Sequence, residues 1–198
     1  MGVDHVDRDA LAERGITFAH APGCNARAVA EWVAVALLTC PLARELGGPV
    51  GIVGFGNVGR RLTALLRSLD FEVLACDPPL AAAGDVAEPL VDFEFLWSRS
   101  SIVSFHVPLV HGGPHPTFAM LDRESPPPSG PKLIVNTSRG SVVRDRALDR
   151  PDVAGVILDV WDGEPELRAA RLRDPKLLVA SPHVAGYSLE AKLAATRA

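Results

Sequence analysis

The chain has 198 residues, of which 47% are hydrophobic and 22% charged, and this is typical of one globular domain, or of one domain with part of another, that buries a sizeable core. Its formal net charge of −4 argues against nucleic-acid binding, and its apolar runs are shorter than the roughly 20 residues of a membrane span. Three cysteines without metal-like spacing, and an opening Met1 followed directly by GVDHVD, favour a cytoplasmic protein that has no export leader and no metal site.

Residues 1–49 come before the repeating strand pattern. Residues 7–15 (DRDALAERG) predict a short helix with Asp7 as its N-cap. Residues 16–21 (ITFAHA) suit a strand, and residues 26–39 (ARAVAEWVAVALLT) predict a strongly apolar helix. We expect the first 24 residues to lie outside the main sheet.

Six short runs rich in Val, Ile and Leu follow, and none of them alternates with polar residues. This is the pattern of parallel strands that are buried on both faces. Residues 60–69 (RRLTALLRSL) have the apolar spacing of a crossover helix. We therefore predict an α/β, Rossmann-type doubly wound fold with one parallel sheet in the order 3-2-1-4-5-6. The six runs are VGIV (50–53), EVLAC (72–76), SIVSF (101–105), KLIVN (132–136), GVILD (155–159) and LLVA (177–180).

A glycine-rich loop joins the first predicted strand to the first crossover helix. In GIVGFGNVGRR (51–61), the pattern G-x-G-x-x-G falls at Gly54, Gly56 and Gly59. The first glycine allows a tight turn, the second lets the backbone approach a pyrophosphate, and the third lets helix and strand pack closely. The pattern alone is a weak signal, but its position between a strand and a helix makes it a strong one. It predicts a dinucleotide site at the positive end of the helix.

Asp77 stands at the tip of the second predicted strand, eighteen residues after Gly59. It could cap a turn or helix before Pro78 and Pro79. It could also accept hydrogen bonds from both hydroxyls of an adenosine ribose. We favour the ribose interpretation, which predicts NAD rather than NADP because a carboxylate repels a 2′-phosphate.

Polar residues follow three successive strands, at the sheet edge where such folds bind ligands. They are Arg139 in NTSRGSVV, Glu164 in DVWDGEPE and His183 in SPHVAGY. Each alone has an ordinary interpretation, as an ion-pair partner, a helix cap and a satisfied loop histidine. Together, beside a dinucleotide loop, they indicate an active site.

The chemistry of these three residue types suits the oxidation of a 2-hydroxy acid. Histidine titrates near neutrality and can take the hydroxyl proton. A carboxylate bonded to the imidazole fixes its tautomer and stabilises the cation, a part that Glu164 can play. Arginine presents a planar fork of donors to a carboxylate and the adjacent oxygen. We therefore interpret His183 as a proton relay.

The combination of G-x-G-x-x-G, the strand-two aspartate, SRG, DVWxGEPE and PHxAG resembles the D-2-hydroxyacid dehydrogenases. More narrowly, four stretches are similar to the branch of that family that oxidises 4-phospho-D-erythronate in vitamin B6 biosynthesis, and GVDHVD (2–7) fits it too. They are APGCNARAVAEWV (21–33), CDPP (76–79), LDVWDGEPEL (158–167) and PHVAGYSLEAK (182–192).

The resemblance implies catalytic roles for Arg139, Glu164 and His183, with His183 as the proton donor and acceptor. It also implies a homodimer, and a contact between Tyr187 and a phosphorylated substrate; packing at a loop-to-helix joint is the alternative for that tyrosine. The implied NAD contacts are Asn57, Val58, Asp77, Thr137, Ser138, Arg139, Asp159 and Gly186, in addition to the three loop glycines.

The resemblance also implies a division of the chain. Residues 1–24 would be a remnant of a flavodoxin-like substrate domain, residues 25–186 the NAD-binding domain with a leading linker helix, and residues 187–198 the start of a return crossover helix. The implied activity is NAD-dependent oxidation of 4-phospho-D-erythronate. The alternatives are another D-2-hydroxy acid, such as 3-phosphoglycerate or glycerate, and an NAD-binding module without turnover, since relatives carry a further lobe that would close over the site.

Overall fold

A computed structural model describes residues 2–4, 6–84, 86–123, 126–127 and 129–197. Met1, His5 and Ala198, which fall within the predicted terminal segments, lie outside the described residues. The helices are α1 (Arg8–Glu13), α2 (Ala26–Thr39), α3 (Pro41–Leu46), α4 (Asn57–Ser68), α5 (Pro78–Ala83), α6 (Phe93–Arg99), α7 (Ala169–Leu172) and α8 (Leu189–Arg197). The strands are β1 (Val50–Val53), β2 (Val73–Cys76), β3 (Ile102–Phe105), β4 (Lys132–Asn136), β5 (Val153–Leu158) and β6 (Leu177–Ala180).

The six strands form one sheet in the order β2-β1-β3-β4-β5-β6, and every neighbouring pair is parallel. The predicted Rossmann-type parallel sheet is therefore confirmed, but the predicted order 3-2-1-4-5-6 is wrong. The third strand lies beside β1, with Val50 opposite Ile102, and not beyond β2. It occupies the place that the predicted order gives to the fourth strand.

Among the described residues, the position beyond β2 holds an isolated bridge between Ala75 and Leu90 and no strand. There the backbone N–H of Val91 donates to the Ala75 carbonyl at 2.9 Å. The residue before the bridge is Pro89, which has no N–H and cannot extend a parallel ladder. This is why a strand at the expected outer position is reduced to one residue pair.

Helices α1 and α2 form where the sequence predicts them, whereas α3 was not predicted. Asp7 caps α1 through its carboxylate, which accepts from the Ala10 N–H at 2.9 Å. Helix α2 has the predicted bounds, and α4 begins earlier than predicted, directly at the glycine loop. The strand predicted over residues 16–21 is wrong, because that segment pairs with no strand of the sheet.

Both faces of the sheet are covered, as the unbroken apolar runs predict. Along β1, Ile52 packs with α2, α3 and α4 on one face, while Val53 packs with α6 on the other. Strand β6 is the exception, because it lies at the edge and leaves Leu178 41% exposed. Among the described residues, no helix is long and apolar enough to cross a membrane.

Candidate active site

The glycine loop connects β1 to α4 at the carboxyl edge of the sheet. Gly54 has φ +97°, a conformation that side chains disfavour. A Cβ on Gly59 would lie 2.0 Å from the Gly54 carbonyl oxygen, so the third glycine rests directly on the first. A Cβ on Gly56 would meet no atom of the described residues within 4 Å. The loop is therefore closed where helix and strand pack and open on the side where a pyrophosphate would lie.

The first turn of α4 points its N–H groups into this open space. Its N-cap is Gly56, and no side chain of the described residues caps the helix. Unsatisfied N–H groups and the helix dipole make such a terminus a favourable place for an anion. The residues present thus fit the pyrophosphate of a dinucleotide.

Asp77 has the structural role that the sequence left as an alternative, and it also lies beside the glycine loop. Its Oδ1 accepts from the Leu80 N–H at 3.1 Å and so caps α5. Its Oδ2 accepts from the Phe55 N–H, inside the glycine loop, at 2.8 Å. Because Pro78 and Pro79 have no N–H, this end of α5 offers few donors to a phosphate.

Arg139 is carried by a short turn after β4 that Asn136 organises. The buried Asn136 Oδ1 accepts from the N–H of Ser138 at 3.1 Å and from its hydroxyl at 2.9 Å. The Asn136 Nδ2 donates to the Arg139 carbonyl at 3.0 Å. The polar last residue of the KLIVN strand therefore fixes the path of the NTSRG segment.

The segment carrying Arg139 packs against the segment carrying Glu164. A Cβ on Gly140 would lie 1.9 Å from the Trp161 carbonyl oxygen, so only glycine allows this approach. Glu164 Oε2 in turn accepts from the Trp161 N–H at 3.3 Å. The Trp161 indole N–H donates to the Ser181 carbonyl at 2.9 Å, which links both segments to the third one.

His183 and Glu164 are in direct contact. The His183 Nδ1 lies 2.8 Å from Glu164 Oε1, and the side chains are 49% and 30% exposed. His183 has φ +56°, an unusual value for a residue with a side chain. Its contact with Glu164 leaves the other ring nitrogen, Nε2, to face a ligand.

Asp159 holds the backbone of the loop that carries His183. Its buried carboxylate accepts from the Ser181 hydroxyl at 2.6 Å and from the N–H groups of Val184 and Ala185 at 2.7 and 3.0 Å. Its carbonyl oxygen accepts from the His183 N–H at 2.7 Å. These bonds account for the left-handed backbone at the histidine, because a strained residue persists only where its surroundings impose it.

The negative charge of Glu164 interacts electrostatically with the Arg139 guanidinium. Its main partner, however, is Asp4, with Nε–Oδ2 and Nη2–Oδ1 distances of 2.8 and 2.6 Å. The hydrogen bond to Asp4 raises the pKa of Arg139, and the charge of Glu164 adds to that shift. All three predicted catalytic residues therefore lie at one edge, and the N-terminal segment reaches them.

Thr137 lies in the same segment and contacts His106 at the end of β3. The Thr137 hydroxyl is 3.2 Å from His106 Nδ1, and the Ser104 hydroxyl is 2.8 Å from Nε2. Burial of the imidazole lowers the pKa of His106 to about 3, so the ring is neutral at physiological pH. This histidine is structural, although part of the residue is exposed.

Gly186 and Tyr187 follow the catalytic histidine loop. A Cβ on Gly186 would lie 2.4 Å from Asn25 Nδ2, so this loop packs against the start of α2. Tyr187 is 72% exposed, and the Lys192 ammonium lies 3.8 Å from its ring centre. Lys192 lowers the pKa of the Tyr187 hydroxyl.

Three residues at this edge were missed by sequence reasoning. Asn136 could have been found, because a polar residue that ends an otherwise apolar strand points to the ligand edge. His106 follows another buried strand and carried the same signal. Asp4 had no such signal, since its contact with Arg139 joins distant parts of the chain.

The profile of the D-isomer specific 2-hydroxyacid dehydrogenase NAD binding domain matches residues 41–185. The chain is similar to the erythronate-4-phosphate dehydrogenase of Salinibacter ruber, with 43% identity over 99% of this chain and 52% of that protein. It is also similar to the enzyme of the same name from Escherichia coli, with 42% identity over 98% of this chain and 53% of that protein. The chain thus spans about half the length of the curated relatives it matches.

Among solved structures, the fold is similar to that of the NAD-dependent formate dehydrogenase from Staphylococcus aureus in complex with NAD. The TM-score is 0.78 at 26% identity, over 98% of this chain and 66% of that one. The family profile covers the glycine loop and all three catalytic candidates. The chain therefore belongs to the D-isomer specific 2-hydroxyacid dehydrogenase family and contains that family's NAD binding domain.

Proposed function

We propose that this chain belongs to an NAD-dependent dehydrogenase that oxidises 4-phospho-D-erythronate to 2-oxo-3-hydroxy-4-phosphobutanoate in pyridoxal 5′-phosphate (vitamin B6) biosynthesis. The observation that carries the proposal is the 2.8 Å contact between His183 and Glu164, at the same sheet edge as Arg139 and the glycine loop. The names of the Salinibacter and Escherichia relatives support this choice of substrate.

In the proposed reaction, His183 takes the proton of the 2-hydroxyl group through Nε2. Glu164 accepts a hydrogen bond from Nδ1–H, which leaves Nε2 unprotonated before the reaction and stabilises the imidazolium afterwards. Arg139 binds the substrate carboxylate and polarises the developing carbonyl oxygen. Bound NAD would accept the hydride that leaves carbon 2 of the substrate, the carbon that carries this hydroxyl group.

The proposed cofactor contacts divide into two groups along the sheet edge. The adenosine and pyrophosphate end would lie against the glycine loop and Asp77, whose carboxylate favours NAD over NADP. The nicotinamide end would lie near the three loops that assemble the catalytic residues. The proposed contacts are Gly54, Gly56, Asn57, Val58, Gly59, Asp77, Thr137, Ser138, Arg139, Asp159 and Gly186.

We propose that Tyr187 contacts the substrate phosphate. Its exposure and the adjacent ammonium of Lys192 support this role, because a cation and a hydroxyl are suitable partners for a phosphate. The same reaction on 3-phosphoglycerate or glycerate remains the alternative. Glycerate has no phosphate group with which the Lys192 ammonium could pair.

The wider organisation is also a proposal. We propose that residues 1–24 are part of a substrate domain, residues 25–186 the NAD-binding domain with its linker helix, and residues 187–198 the start of a return crossover helix. Exposed apolar side chains on α2 and α8, among them Val35 and Leu193, fit a homodimer.

Three free cysteines fit a cytoplasmic protein, and burial raises the pKa of Cys76 to about 12, so that thiol is unreactive.

The decisive experiment follows NADH formation with four substrates: 4-phospho-D-erythronate, D-erythronate, 3-phosphoglycerate and glycerate. We expect the highest kcat/KM for the first, and D-erythronate serves as the matched control without phosphate. A preference for 3-phosphoglycerate or glycerate would replace the substrate assignment. NADH binding without turnover of any of the four would favour the NAD-binding module.

A further inference from the structure

The carboxylate of Asp4 holds one edge of the Arg139 guanidinium. The contact is bidentate, with distances of 2.8 Å to Nε and 2.6 Å to Nη2. The Arg139 and Asp4 side chains are 24% and 40% exposed, so the pair is accessible to a ligand. Gly2 lies on the same guanidinium, since a Cβ there would be 1.7 Å from Nη2. The N-terminal segment thus forms part of the candidate site.

The remaining donors of Arg139 show what this contact leaves open. A guanidinium has five N–H groups. The single N–H on Nε and one N–H on Nη2 donate to the Asp4 carboxylate, and one N–H on Nη1 donates to the Ser138 carbonyl at 2.7 Å. The remaining N–H group of Nη1 and that of Nη2 have no hydrogen-bond partner in the part of the chain that the structure describes. A donor on each of these two neighbouring nitrogens can be offered to a carboxylate.

We propose that Asp4 is a positioning residue that fixes the plane of the Arg139 guanidinium, so that its outer Nη1–Nη2 edge receives the substrate carboxylate. This inference rests on the proposed function. The Ser138 carbonyl and Asp4 restrain the guanidinium from two directions. A flexible arginine side chain would otherwise lose rotational freedom at each binding event.

The opposing effect of the Asp4 charge is smaller. Asp4 repels a bound carboxylate across the guanidinium, but at a solvent-exposed site this changes the affinity by only about threefold. Loss of a charge-assisted hydrogen bond that orients a binding group changes it by about tenfold. Orientation therefore outweighs repulsion, and Asp4 should strengthen binding of the substrate carboxylate.

The test uses the full chain with saturating NADH and titrates oxalate, a non-reacting mimic of a 2-oxo acid. We expect Asp4→Asn to weaken oxalate binding about tenfold without changing the NADH Kd. Asp9→Asn, which makes the same charge change on exposed α1, is the matched control and should stay within about twofold of the wild type. In an Arg139→Gln background, Asp4→Asn should have no further effect, because Asp4 acts through that arginine.

A second measurement is independent of substrate and activity. Phenylglyoxal modifies deprotonated guanidines, so Asp4→Asn should speed its reaction at Arg139, as followed by peptide mass spectrometry. Oxalate affinity that is unchanged or tighter in Asp4→Asn would overturn the positioning role alone, the tighter result meaning that Asp4 competes with substrate. If the wild type binds no oxalate although the modification rate responds to Asp4, the proposed function fails, and this inference is overturned with it.

Discussion

The two halves of the ligand edge are built by different means. Around β1, β2 and α4, the glycine loop adopts a path that side chains would obstruct, and Gly59 packs against the Gly54 carbonyl. Around the ends of β4, β5 and β6, buried polar side chains hold the loops, and the Asp159 carboxylate accepts from three residues of the His183 loop. The first half depends mainly on steric fit within a few adjacent residues, with one longer-range hydrogen bond from the Phe55 N–H to Asp77. The second half depends on hydrogen bonds between distant residues.

This difference decides what a substitution can damage. In the glycine half, a single added methyl group should disturb the packing of helix on strand at Gly59 and occupy cofactor space at Gly56. In the catalytic half, the exposed reacting side chain can be removed while the loop that carries it stays in place. Substitutions in each half can therefore distinguish the two kinds of construction.

Removal of the His183 imidazole should have the largest effect on activity. We expect His183→Ala to lower turnover by about 10²- to 10⁴-fold, the usual cost of losing a proton-transfer group. NADH affinity and the unfolding free energy should change little, because the side chain is 49% exposed and Asp159 still holds the loop backbone. Turnover per folded molecule is the measurement, and wild-type turnover in this variant would remove His183 from the mechanism.

A pair of glycine substitutions should separate packing from cofactor space. Gly59→Ala should lower the unfolding free energy by about 3 kcal/mol, the upper end for overpacking, because its Cβ would lie 2.0 Å from a backbone oxygen. Gly56→Ala is the matched control. Its Cβ would meet no atom of the described residues within 4 Å, so the unfolding free energy should stay unchanged while NADH binding weakens. Chemical denaturation and NADH titration measure the two effects, and equal losses of stability would contradict the steric account of this loop.

His106 links the two halves, and its titration should make the fold sensitive to acid. Its backbone carbonyl lies against Gly54, and its ring is bonded to Thr137. Burial lowers the pKa of His106 to about 3, against about 6.5 in an unfolded chain. Above pH 6.5 both states are neutral. Below it, the unfolded chain takes up the proton first, so stability falls until pH reaches about 3.

The expected loss from this group between pH 7 and pH 5 is about 2 kcal/mol. His106→Asn should remove that part of the pH dependence, whereas His115→Asn, at an exposed position, is the matched control. The measurement is the unfolding free energy at both pH values. An identical pH dependence in the wild type and in His106→Asn would show that the ring is protonated in the folded state as readily as in the unfolded one.

The same contrast explains how much the sequence could predict. The glycine loop and the six strands were predictable, because apolar runs and glycine spacing are local patterns. The strand order was not, because it depended on Pro89 ending the ladder at a single bridge. Glu164 and His183 were predicted as partners from their chemistry. The contact between Asp4 and Arg139 could not be predicted, since no local pattern shows which strand-end loop the N-terminal segment reaches.

The smallest expected effect concerns Asp77, whose two candidate roles are to cap α5 and to bind the ribose of NAD. A single Asp77 variant would lose both roles at once. Asp77 caps α5, and Asp92 caps α6 in the same way, through an acceptor 2.6 Å from the Phe95 N–H. Loss of an N-cap carboxylate costs about 1 kcal/mol, so Asp92→Ala should lower the unfolding free energy by about that amount. Asp77→Ala should lower it somewhat more, because it also loses the hydrogen bond from the Phe55 N–H.

Only Asp77→Ala should change cofactor selectivity, because only Asp77 also accepts from the glycine loop, through the Phe55 N–H at 2.8 Å. Without its carboxylate, NADH loses a ribose partner and NADPH loses a repulsive charge. The ratio of the two dissociation constants should therefore move towards unity by about tenfold, equivalent to about 1.4 kcal/mol. If both variants lose stability and neither changes that ratio, Asp77 acts only as a cap, and the preference for NAD must come from other residues.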